Sequence, residues 1–156
     1  MMKEEKKEEL KRFTLALIAH DSKKADMVEL AQTHMEMLEH LHLVATRTTG
    51  EQIQSKTGLP VTLMQSGPLG GDQQIGSMVA SGVVDAVIFL RDPLKSQPHE
   101  PDITALLRLC DVHNVPLATN LASAEGILHL INQHPDVLVK INIRTQINNE
   151  LSKSYL

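Results

Sequence analysis

Residues 13–20 read FTLALIAH, an unbroken apolar run that stops abruptly at the polar HDSKK. A half-exposed strand would alternate apolar and polar residues. A strand buried on both faces reads as a continuous apolar run, as in a parallel sheet covered by helices. Working outward, HLVAT (42–46), VTLMQ (61–65), VDAVIFL (84–90) and VPLATN (115–120) repeat the pattern. Helical stretches separate them. Residues 22–40 carry Ala25, Met27, Val28, Leu30, Ala31, Met35 and Leu38 near helical spacing. A helix over about 50–57 closes at Gly58, one over 74–82 closes at Gly82, and 103–114 and 122–132 are amphipathic. RDPLKSQPHEPD (91–102) holds three prolines and reads as a loop. Near the end, DVLVKINI (136–143) is compatible with a sixth strand, followed by a short polar helix. This alternation predicts an α/β fold: a single-domain, three-layer α/β/α arrangement around a mostly parallel, doubly wound sheet of five or six strands. Residues 1–12, nearly all Lys, Glu and Arg, are expected to form a charged, solvated N-terminal extension, with the domain proper over 13–156.

Bulk properties narrow the function classes. A chain of 156 residues fits one domain, and 42% apolar residues with only 2% aromatics imply an aliphatic core. The net charge of −4, with both signs mixed, argues against a nucleic-acid surface. No apolar stretch is long enough to span a bilayer, and no secretory signal opens the sequence. The single cysteine, Cys110, cannot form an internal disulfide. A cytoplasmic protein is therefore expected.

In a doubly wound sheet, ligands bind beyond the carboxyl ends of the strands. The first strand delivers His20, Asp21 and Lys24 there, and the second delivers Thr46, Thr48 and Thr49. The third leads into SGPLGGDQQIG (66–76), which supplies Ser66, Gly67 and Asp72. The fourth leads to Asp92, His99 and Asp102, and the fifth to Thr119 and Asn120. Each has a plainer reading. Asp21, Thr48, Thr49 and Ser66 are helix N-cap types, and Asp92 before Pro93 is a common turn. His99 alone would read as an exposed bystander and Lys24 as a surface lysine. Their joint placement at one edge carries the functional reading. Neither GxxxxGK[ST] nor GxGxxG occurs, and no His/Asp/Glu cluster marks a structural zinc site.

The ordered set ALIAHD (16–21), TTG (48–50), SGPLGGDQQIG (66–76), FLRDPL (89–94), QPHEPD (97–102) and ALLRLCDVHNVPLATN (105–120) resembles the methylglyoxal synthases. The resemblance covers roughly residues 13–130. It implies a cytoplasmic lyase that converts dihydroxyacetone phosphate to methylglyoxal and inorganic phosphate without a metal or organic cofactor. It also implies a homohexamer, with phosphate as product and allosteric inhibitor, in an overflow route that frees phosphate from glycolytic intermediates. By motif, Asp72 matches the family's base, and His99 and Asp102 match its other catalytic residues, with interchangeable roles. Lys24, Thr46, Thr48, Thr49, Ser66 and Gly67 match its phosphate-binding positions, and His20, Asp21 and His99 its other substrate contacts. One departure stands out: TRTTG replaces the usual TGTTG, so Arg47 either strains a turn or adds a cation beside the phosphate. Two rival readings remain at this level, a non-catalytic effector-binding module and an isomerase that keeps the phosphate.

Overall fold

The computed structural model describes residues 2–153. Its centre is a five-stranded sheet, every neighbouring pair parallel, in the order β3-β2-β1-β4-β5. The strands are β1 (Thr14–Ala19), β2 (His42–Ala45), β3 (Thr62–Leu63), β4 (Ala86–Leu90) and β5 (Leu117–Ala118). The helices are α1 (Glu4–Leu10), α2 (Lys24–Thr33), α3 (Met35–Leu38), α4 (Arg47–Thr57), α5 (Gly71–Ala80), α6 (Glu100–Val112), α7 (Leu121–Gln133) and α8 (Pro135–Lys153).

The unbroken apolar strands are explained by two separate cores, one on each face of the sheet. Leu15, Leu17 and Ala19 of β1 pack with Met27 and Leu30 of α2, Ile53 of α4 and Leu128 and Ile131 of α7. Ala16 and Ile18 point the other way, toward Ile75 and Val79 of α5 and Ile103 and Leu106 of α6. Successive side chains of a strand face opposite sides, so β1 can only be apolar throughout. Full burial of each Leu or Ile is worth about 1.5–3 kcal/mol.

Three expectations need correction. Residues 136–143 form no sixth strand. They lie in α8, which runs on to Lys153. The period-two spacing of Val137, Val139, Ile141 and Ile143 imitated a strand, yet Leu138 is the residue that drops into the core, while Val137 and Ile143 stay exposed. Pro135 opens the helix, where its missing N–H costs nothing, and Asp136 lies four residues from Lys140, 3.9 Å away. Helices also begin earlier than expected: α4 at Arg47, α5 at Gly71 and α6 at Glu100, so Asp102 sits in a first helical turn rather than in the loop. Finally, the charged N-terminal stretch is not wholly solvated: it forms α1, and Leu10 is fully buried in the α2/α7 core. No described helix is long and apolar enough to cross a membrane.

Candidate active site

The sheet order reverses between β1 and β4, and the crevice beyond these two strands is where such folds bind ligands. A cavity of about 240 Å³ opens there. It is lined by His20, Asp21, Lys24, Thr46, Thr48, Ser66, Gly67, Asp72 and His99, together with Ile18, Ala19, Pro68 and Gln97. Of the residues singled out from sequence, Thr49, Asp92, Asp102, Thr119 and Asn120 are absent from the lining. Thr49 is buried beneath it, with its hydroxyl directed at the Ala19 carbonyl 3.4 Å away. Asp102 accepts a 2.8 Å hydrogen bond from the Gln73 side-chain amide. A larger cleft of about 540 Å³ lies at the opposite end of β4, between α8 and the ends of α5 and α6. None of the buried polar atoms that lack a partner faces it, whereas the crevice collects several.

Asp72 is fully buried in the first turn of α5. Neither carboxylate oxygen has a hydrogen-bond partner among the described residues, and His99 Nε2 stands 3.4 Å from Oδ2. A buried carboxylate without hydrogen bonds is costly, so its presence signals work. Burial raises its pKa above the usual carboxylate value. The nearby His99 opposes the rise and Asp102 adds to it. The loop before it is built for close approach. Gly70 adopts φ +99°, a left-handed conformation open to glycine, and a Cβ on Gly71 would lie 1.9 Å from the Gln65 carbonyl oxygen. Gln74 then accepts from the Gln65 amide at 2.8 Å, fixing the start of α5 to the end of β3.

His20 has a defined tautomer. Its Nδ1 accepts the backbone N–H of Asp92 at 2.8 Å, and an amide nitrogen can only donate. The proton of the neutral ring therefore sits on Nε2, which is buried and without a partner among the described residues. Burial, followed by His99 and Arg91, lowers the ring's pKa, keeping it neutral. Asp92 itself is a turn residue. Its carboxylate accepts from Ser22 Oγ at 2.8 Å and from the Leu94 amide at 3.0 Å. His99 lies edge-on to His20, with ring centroids 6.2 Å apart, and its Nδ1 has no partner among the described residues, Asp102 included.

The same cavity also carries groups suited to an anion. Lys24 is buried, and its ammonium donates to the Ala19 carbonyl at 3.0 Å and to Asp21 at 2.6 Å. An ammonium has three N–H bonds, so one remains for the cavity. The hydrogen bond and charge of Lys24 hold the Asp21 carboxyl below its usual value. Thr46 stands at the N-terminus of the eleven-residue α4, whose first amides and dipole favour an anion. The capping alternative fails for the residues it was offered for: Ser66 does not cap the turn it precedes with its side chain, Thr48 and Thr49 lie inside α4 beyond its N-cap Thr46, and Asp21 lies one residue past His20, the cap of its own turn. Asn120, by contrast, does cap α7 by accepting from Ser123 N. Arg47 shows neither expected effect. It has no positive φ, starts α4 in ordinary helical geometry, and points outward to Glu51 at 3.8 Å. Sequence reading passed over Gln97, because nothing in a proline-rich loop marks one glutamine, and over Gln73, whose polar neighbours drew the attention.

Residues 26–119 match the family model described as MGS-like domain. The chain is 61% identical over 121 residues to a methylglyoxal synthase of Moorella thermoacetica, covering 78% of this chain and 94% of that one. It is 61% identical over 118 residues to a methylglyoxal synthase of Carboxydothermus hydrogenoformans, covering 76% and 98% respectively. A crystal structure of methylglyoxal synthase from Elizabethkingia anophelis superposes with a TM-score of 0.71 at 49% identity, covering 76% of this chain and 78% of that one. Taken with the parallel sheet and the crevice at its switch point, these matches show that the chain belongs to the methylglyoxal synthase family.

Proposed function

We propose that this protein is a cofactor-free carbon–oxygen lyase that converts dihydroxyacetone phosphate to methylglyoxal and inorganic phosphate, with residues 13–156 as the catalytic domain and 1–12 as a charged extension. The observation that carries the reading is the buried Asp72 carboxylate, without a hydrogen bond among the described residues and facing the same small cavity as a neutral His20 Nε2–H and the Lys24 ammonium.

In the proposed reaction, Asp72 removes a proton from the hydroxymethyl carbon next to the substrate carbonyl. Such a proton is far less acidic than a carboxylic acid. Transfer therefore needs the developing enediolate oxygen to be stabilised by preorganised donors in a water-poor site. His20 supplies one such donor with its tautomer already set, and His99 Nε2 supplies the second, beside the base. The phosphate dianion sits on Lys24, Thr46, Thr48, Ser66 and the first amides of α4. Elimination requires the carbon–oxygen bond to phosphate to stand out of the enediolate plane, so that its electrons align with the π system. As that bond breaks, the terminal hydroxyl passes its proton to the departing phosphate, which leaves as the dianion, and the hydroxyl carbon becomes the aldehyde. The remaining enolate then takes a proton at the carbon that bore the phosphate. An isomerase would hold the phosphate bond in the plane; here the anion subsite fixes the other torsion. Thr49 acts from below by holding the Ala19 carbonyl, and Asp102 acts on the charge around Asp72. The same family reading extends to a cytoplasmic homohexamer inhibited by its product phosphate.

The test is direct. The purified protein is incubated with dihydroxyacetone phosphate while methylglyoxal and free phosphate are measured. Equal release of both is expected. No methylglyoxal at ample enzyme would reject the lyase reading in favour of an effector-binding module, and glyceraldehyde 3-phosphate as product would favour the isomerase.

A further inference from the structure

We propose that Gln73 is a positioning residue of the reaction: its side-chain amide clips Asp102 in place beside Asp72 and so ties the helix that carries the base to the helix that follows His99. This inference rests on the reading of Asp72 as the base. Three observations lead to it. Gln73 adjoins Asp72 in the first turn of α5, and its Nε2 donates to Asp102 Oδ1 at 2.8 Å. Asp102 lies in the first turn of α6, whose N-terminal cap residue is His99, and the Asp102 amide donates to the His99 carbonyl at 3.0 Å. Asp102 also acts on Asp72 through its charge, although it does not line the cavity. An unheld surface aspartate would swing into solvent, where its field is screened. A donor at one oxygen fixes its orientation.

The two glutamines of GGDQQIG thus divide one task. Gln74 holds the start of α5 to the end of β3, and Gln73 holds it to α6, so Asp72 is gripped from both sides. Besides Asp102, the titratable group facing Asp72 most closely is His99 at 3.4 Å from the 91–99 loop. His20, Asp21 and Lys24 share its cavity from the end of β1. Of these groups, Asp102 alone among the described residues is hydrogen-bonded to the Gln73 side chain, and this makes the coupling separable.

The experiment compares wild type, Gln73→Ala, Gln73→Met, Asp102→Asn and the Gln73→Ala/Asp102→Asn double variant. Gln73→Met keeps the side chain's bulk and removes the amide. The carboxyl titration of Asp72 is followed by carbon-13 NMR without substrate, and kcat and KM are measured with dihydroxyacetone phosphate. Both Gln73 variants should lower the Asp72 titration midpoint, in the same direction as Asp102→Asn. They should reduce kcat by about tenfold with KM little changed. The double variant should match Asp102→Asn alone, because Gln73 acts only through that carboxylate. Unchanged Asp72 titration in both Gln73 variants would overturn the proposal. So would a Gln73→Ala effect that persists in full when Asp102 is already Asn. Should wild type make no methylglyoxal, the function reading fails, while the titration still decides the clip.

Discussion

Gly67→Ala tests the compactness of the site with a single methyl group. A Cβ at position 67 would lie 2.8 Å from His99 Nε2 and 3.4 Å from Asp72 Oδ1. Ordinary van der Waals contact begins near 3.4 Å, so the methyl is tolerable to Asp72 and about 0.6 Å too close to His99. The backbone at 67 needs no left-handed conformation, so the substitution leaves the fold unstrained and acts on the imidazole alone. His99 is buried and cannot swing freely. It must retreat by roughly half an ångström from the groups it serves. A misplacement of about 1 Å costs on the order of 100-fold in rate, so a loss of roughly tenfold in kcat is expected. Steady-state turnover of dihydroxyacetone phosphate provides the assay, with a thermal melt as control for folding. A Gly67→Ala variant with wild-type melting and kcat within twofold of wild type would refute the assignment of His99 to the reacting oxygen atoms.

Asp72→Asn should abolish turnover while leaving substrate binding largely intact, and it should stabilise the protein near neutral pH. Burial raises the Asp72 pKa in the folded state, so its contribution favours folding at low pH and is lost as pH rises through the folded value. The melting advantage of the variant should therefore be a few degrees at pH 7 and vanish near pH 4, read by thermal melts at both values. Arg47→Gly should leave kcat/KM within about twofold and cost at most about 1 kcal/mol in urea unfolding, since the side chain points away from the crevice. Leu10→Ala should cost about 2–5 kcal/mol in the same unfolding assay, because Leu10 is fully buried. Leu94→Ala, at a side chain 95% exposed, should change stability by less than about 0.5 kcal/mol.

The central strands were legible because burial on both faces leaves an unbroken apolar signature, as in residues 14–19 and 86–90. The site was legible as a set because parallel strands deliver their C-terminal loops to one edge, whatever each residue does alone. Side-chain direction was not legible. Thr48 and Thr49 are adjacent and chemically alike, yet one lines the cavity and the other lies beneath it. Whether Arg47 was strained or poised depended on where α4 begins, and a start at Arg47 removed both possibilities. The segment 136–143 misled because β-branched residues at alternate positions suit a strand, while one leucine with a place in the core decides for a helix.

The bond that sets the His20 tautomer has an evolutionary side. Its donor is the main-chain amide of residue 92, which every amino acid but proline provides. Replacement at 92 by any residue but proline can loosen the turn through loss of the Ser22 and Leu94 contacts, but it cannot withdraw that proton. The very next residue, however, is Pro93. Removing one residue from the strand end would slide proline into the donor's place and leave His20 free to flip its proton. This corner is thus tolerant of substitution and intolerant of changes in length.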